Sequence, residues 1–144
     1  MTETETREWL KSIKIYSDEG DNILEQIEQL RAVAESCTVR TDKEPVQSSG
    51  SGDKMANIVG RMVDLKKLLT ELDKKILTRR TQFGIITNQM GDDKQIQFLT
   101  IRYLDGNSFY ETVMMMDLND STARRIERKA ISEFRVLFNT IFGG

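Results

Sequence analysis

Arginine and lysine recur towards the end of the chain at spacings that a helix gathers onto one side. Ser121, Arg124, Arg125, Arg128, Lys129, Ser132 and Arg135 fall within an arc of about 140° at roughly 100° per residue. Ala123, Ile126, Ala130, Ile131, Phe134, Leu137, Phe138 and Ile141 occupy an opposite arc of about 140°. Residues 121–135 hold five basic groups and two acidic ones, Glu127 and Glu133. A solvated helix face normally mixes both signs. This one is basic only, which suits a polyanion. Arginine pairs bidentately with phosphate or with a guanine edge, and each good base contact contributes about 1–3 kcal/mol of discrimination. The pattern predicts a helix over about 120–141 that can lie in a major groove, its first residues near bases and later ones near phosphates.

Other chemistry is poorly supplied. The chain has no histidine, so the commonest general base and the commonest metal ligand are both missing. It carries no phosphate-binding loop, no nucleophile elbow and no Cys/His metal spacing. The adjacent acids Asp92 and Asp93 precede a predicted helix, where carboxylates favour the helix dipole. No enzymatic activity, cofactor or metal is expected. The single cysteine, Cys37, excludes an internal disulfide and points to a reducing compartment. The opening MTETETREWL is acidic and polar, unlike a signal or transit peptide, and no apolar run approaches the roughly 20 residues that span a bilayer. A cytoplasmic protein with no membrane contact is the expectation.

The formal net charge of −2 conceals an asymmetry. Residues 1–53 carry 6 basic and 12 acidic groups, residues 54–91 carry 8 and 3, and residues 92–144 carry 7 and 8. Any binding of nucleic acid must therefore come from local placement rather than from global charge.

The elements that would position the basic face follow from apolar spacing. Trp9, Ile13, Tyr16, Gly20, Ile23, Ile27, Leu30 and Ala34 alternate four and three apart, a heptad seam along one helix. Gly20 costs about 1 kcal/mol inside a helix, so the expectation is one helix with a weak point there. Residues 38–53 contain the only proline, Pro45, and a Ser/Gly run, which predicts a flexible linker. The alternation resumes at Met55, Ile58, Met62, Leu65, Leu69, Leu72 and Ile76, passes an arginine at position 79, and reaches Phe83. A helix from about 54 to 89 would be about 50 Å long and needs a partner along its stripe. The acidic first helix and basic second helix are complementary in charge, which predicts an antiparallel, coiled-coil-like hairpin over residues 1–91.

Gly91 marks the end of that pattern. Three shorter helices are predicted beyond it, over about 93–104, 108–116 and 120–141. Asp105-Gly106-Asn107 separates the first two, with Ser108 as an N-cap, and Asp117-Leu118-Asn119 separates the last two, with Asp120 or Ser121 as the cap. Met114, Met115 and Met116 are read as core and flank of the middle helix. Two helices joined by a short turn, the second longer and basic, make a helix-turn-helix. The fold expected is thus all-α: a long helical hairpin (1–91) followed by a three-helix helix-turn-helix domain (92–144).

The stretch SFYETVMMMDLNDSTARRIERKAISEF resembles the helix-turn-helix of the fourth region of bacterial sigma factors and its LuxR-like relatives. Phe109, Met116, Leu118, Ser121, Thr122, Arg125, Ile126, Arg128, Lys129, Ala130 and Ile131 fill corresponding places, and Arg102 to Phe109 resembles the approach to that motif. Asp117 stands where the motif has its turn glycine, and Thr112, Met114 and Met115 depart from the usual first helix. The whole layout is similar to RinA/ArpU-type late-gene regulators of phages and prophages of Gram-positive bacteria. The resemblance implies a sequence-specific transcriptional regulator that binds double-stranded DNA, with Ser121, Arg124 and Arg125 on bases and Thr122, Arg128 and Lys129 on phosphates. Two other readings are a small terminase-type packaging adaptor and a protein-interaction module that captures RNA polymerase or a host factor. One module with so few basic contacts would bind weakly alone, so self-association, a dimer first, is expected.

Overall fold

The computed structural model describes residues 1–41 and 49–143. Every regular element among them is helical: α1 (Glu3–Thr41), α2 (Ser49–Gln89), α3 (Asp93–Leu99), a π-helical turn (Thr100–Leu104), α4 (Phe109–Met115) and α5 (Asp120–Phe142). The predicted all-α architecture, a long helix pair followed by shorter helices, is the one observed. Among the described residues no helix is long and apolar enough to cross a membrane.

The predicted linker over 38–53 is shorter than its composition suggests. Helix α1 continues to Thr41 and α2 begins at Ser49, so residues 49–52 of its Ser/Gly run are helical backbone. Pro45, with residues 42–48, lies outside the described residues. Gly20 does not divide α1. It is buried, and a Cβ placed there would meet Leu69 Cδ1 at 3.7 Å, so the glycine serves a close approach between the two helices.

Packing divides the described chain into two compact units, one made of Met1–Tyr16 and Ile76–Gly144, the other of Ser17–Lys75. The second unit is a two-helix pair whose partners descend in α2 as they ascend in α1, Gly20 facing Leu69 and Leu30 sharing a groove with Arg61. Ile27, Ile58 and Leu72 are its buried apolar residues, while Leu24, Val33, Val59, Val63 and Leu68 are exposed. Two helices can bury one seam and no more.

The first unit holds the larger core. Its cluster joins Trp9, Leu10 and Ile13 of α1, Phe83 and Ile86 of α2 with Met90 just beyond it, Leu99 and Tyr103, and Ala130, Ile131 and Phe134 of α5. The expected boundary at residue 91 is therefore not where packing divides. The apolar arc of the 23-residue α5 is longer than two seven-residue helices can cover, so the ends of the long helices complete the enclosure. Arg79, the seam position that breaks the apolar pattern, lies over the rings of Trp9 and Tyr16 at 5.2 and 5.6 Å, a cation–π substitute for an aliphatic side chain.

Helix starts are capped by their own sequence. Thr2 and Glu5 exchange backbone and side-chain hydrogen bonds at the head of α1, and Ser108 and Glu111 do so at α4. Asp92 Oδ1 accepts the N–H groups of Lys94 and Gln95 at α3, so this acid caps the helix start, and Asp93 stands in its first turn.

Candidate nucleic-acid interface

A second, smaller cluster fixes the helix-turn-helix geometry. Phe98 of α3, Val113 of α4 and Ala123 of α5 are buried together, with Phe109, Met116, Leu118 and Ile126 packed around them. Ala123 is completely buried, and its methyl group permits α5 to start close against its neighbours. The turn between α4 and α5 closes by two hydrogen bonds, from Leu118 N–H to Val113 C=O (3.0 Å) and from Asp117 N–H to Met114 C=O (3.2 Å). This is a Schellman arrangement, and it requires a left-handed residue after the helix. Asp117 supplies it at φ 53°. Aspartate tolerates that conformation at a cost. Asp117→Gly is accordingly expected to raise stability by a few tenths to about 1 kcal/mol, and a lower urea midpoint for that variant would contradict the account.

The N-cap of α5 is Asn119, not Asp120 or Ser121. Its Oδ1 accepts Thr122 N–H at 2.8 Å and the Ser121 hydroxyl at 3.0 Å. The sequence put three capping residues in a row, and only the backbone path selects among them: Asn119 is extended (φ −88°, ψ 163°), as a cap must be.

From this start the amphipathic pattern becomes an inside and an outside. Ala123, Ala130, Ile131 and Phe134 are fully buried. Ser121, Arg124, Arg125, Arg128, Lys129 and Ser132 are exposed, and Thr122 is half-buried. All six nominated residues thus lie along one open flank of α5. They are not equivalent. The Arg124 guanidinium lies over the Phe109 ring of α4 at 4.9 Å, the Ser121 hydroxyl is engaged in the cap, and Arg125, Arg128 and Lys129 face solvent. Arg135 is half-buried, so the fully open basic surface ends near Ser132.

Glu127 lies on the inner side of α5, away from this face. Arg7 Nη1 pairs with its Oε1 at 3.4 Å, and the Tyr103 hydroxyl donates to its Oε2 at 3.4 Å. This acid is thereby engaged on the inner side of α5, and the outer flank keeps its positive sign. Burial first, and then the Glu127 carboxylate, pushes the Tyr103 phenol from 10.0 up to about 12. Because the folded value is raised, this group's stabilisation is intact below pH 10 and is lost as pH rises from 10 towards about 12. Tyr103→Phe is expected to flatten stability against pH over that window, at a cost near neutrality of about 1 kcal/mol for the lost hydrogen bond. An unchanged slope in alkaline urea titrations would refute the assignment.

Two features escaped the sequence. Met114 and Met115 are not core: they are 79% and 61% exposed, Tyr110 on the same short helix is 61% exposed, and only Met116 packs inward. Helix α4 is too short for its spacing to reveal a face. The other feature is an open groove of about 280 Å³ between the beginning of α3 and the flank of α5, lined by Asp92, Lys94, Gln95, Thr122, Arg125, Ile126 and Lys129. Lys94 and Gln95 lie 27 or more positions from their neighbours across the groove, beyond the reach of periodicity. Comparison with protein-family models, with curated proteins and with solved structures returns no match to this chain.

Proposed function

We propose that this chain is a sequence-specific, double-stranded-DNA-binding transcriptional regulator of the cytoplasm, which inserts α5 into the major groove. One observation carries the reading: the acid-free flank of α5 is exposed from Ser121 to Ser132, while the opposite side of the same helix is anchored in the core by Ala123, Ala130, Ile131 and Phe134. A rigid helix with a clean cationic face is what groove recognition requires. Arg125 is best placed to reach a base edge, with Arg124 joining it when it leaves the Phe109 ring. Arg128 and Lys129 hold phosphates. The resemblance to sigma-factor region 4 and to phage late-gene regulators is in keeping with this role, in which no catalysis is called for. The chain is proposed to act as a dimer, through the exposed apolar residues of the Ser17–Lys75 pair.

Selection of bound duplexes from a random pool at fixed salt tests both statements. Enrichment of one motif is expected, in two copies spaced by about one helical turn of DNA or a multiple of it. Recovery of unenriched sequence would remove specificity, and a single copy would remove the dimer. The exposed Tyr110, Met114 and Met115 favour a second reading, in which α4 also contacts a protein such as RNA polymerase. Loss of transcriptional effect with unaltered DNA binding in a Met114→Ser, Met115→Ser variant is the result that reading requires.

A further inference from the structure

The groove between α3 and α5 brings together three cations that belong to different parts of the chain. Lys94 stands on one wall, and Arg125 and Lys129 stand on the other with the Thr122 hydroxyl. A single carboxylate is present, that of Asp92, and its Oδ1 already accepts the backbone N–H groups of Lys94 (3.0 Å) and Gln95 (3.1 Å). Like charges crowded around an open groove repel one another unless an anion enters it. The space, about 280 Å³, accommodates a phosphodiester group with its hydration.

We infer that this groove is a backbone-phosphate site, in which Lys94 and Lys129 flank one phosphodiester of the duplex while Arg125 stands between that phosphate and the base edges. The assignment rests on the duplex-binding reading and adds to it a contact from outside the helix-turn-helix. Its consequence is register. A phosphate held between α3 and α5 fixes how far along the groove α5 sits, which α5 alone, with side chains on one flank, cannot do.

The test uses the full chain and a duplex carrying the selected site. Lys94→Ala is expected to weaken binding about tenfold near 0.1 M salt and to lower the slope of log Kd against log salt by about 0.9, the value for one lost phosphate contact. Lys94→Arg is expected to keep the slope. In duplexes neutralised one phosphate at a time with methylphosphonate, one position should weaken the wild-type chain and leave Lys94→Ala unaffected. A Lys94→Ala slope equal to wild type, or the same sensitivity to every methylphosphonate in both chains, overturns the groove assignment. The duplex reading survives that outcome if Arg128→Ala still weakens binding. A wild-type chain that binds no duplex overturns both. Lys94 is exposed, so an unchanged melting temperature for the alanine variant assigns any loss to the contact rather than to folding.

Discussion

Replacing Arg125 and Arg128 together by alanine is expected to weaken binding of the selected duplex about a hundredfold, equivalent to about 2.8 kcal/mol. Arg125 contributes a base contact of about 1–3 kcal/mol and Arg128 a phosphate contact, so the two together reach that figure without invoking cooperativity. Both side chains are exposed and neither has an ion-pair partner among the described residues' salt bridges, so their loss leaves no buried charge behind. Folding should be unaffected, and an unchanged urea midpoint confirms that the comparison is fair. The necessary control removes the same charge elsewhere. Lys66 and Lys67 are exposed on α2, in the other compact unit, and their double alanine variant should lose affinity only through general electrostatics. Equal losses in the two double variants, or no loss in the first, would sink the assignment of α5 as the reading helix.

Phe134→Ala is expected to cost about 3–5 kcal/mol, the largest stability effect of any single truncation proposed here. The ring is fully buried and lies 5.5 Å from Trp9, 5.8 Å from Phe83 and 6.3 Å from Phe138, so it touches α1, α2 and α5 at once. A cavity of that size in a close-packed cluster is not recovered by small shifts. Since domains of this size unfold with about 5–15 kcal/mol, the variant should lose a large share of its stability and unfold at a markedly lower urea midpoint. Trp9 is the single tryptophan, so its fluorescence in urea reports directly on this cluster. Met114→Ala, on a side chain 79% exposed, should change stability by no more than about 0.5 kcal/mol. A cost below about 1 kcal/mol for Phe134→Ala would mean that α5 is not anchored as described, and with it would go the rigidity that groove recognition needs.

These two experiments address opposite sides of one helix, and they separate its two roles. The first should weaken binding and spare the fold. The second should weaken the fold, and binding only as a consequence. Tyr103→Phe and Asp117→Gly probe the supports: the polar node that pairs Glu127 on the inner side of α5, and the left-handed turn that sets where α5 begins.

How much of this was legible in the residues differs from element to element. Helical class, the three short C-terminal helices, the Ser108 cap and the polarity of α5 all depend on neighbours within about four positions along the chain, and spacing encodes such relations directly. The seam from Trp9 to Ala34 and its counterpart from Met55 to Phe83 likewise showed two long helices in need of partners. Spacing has no means of saying how far a pair extends before it joins something else. That the first sixteen residues and the end of α2 enclose α5, that Arg79 lies against two aromatic rings, and that Arg7 and Tyr103 pair with Glu127 are matters of tertiary structure. So is the approach of Lys94 to Arg125 and Lys129. Local sequence determined which side of α5 is cationic, because helix periodicity is a property of the chain itself. Only the folded molecule decided that this side stays open and which distant residue stands beside it, because burial and long-range contact are properties of the whole packing and not of any one segment.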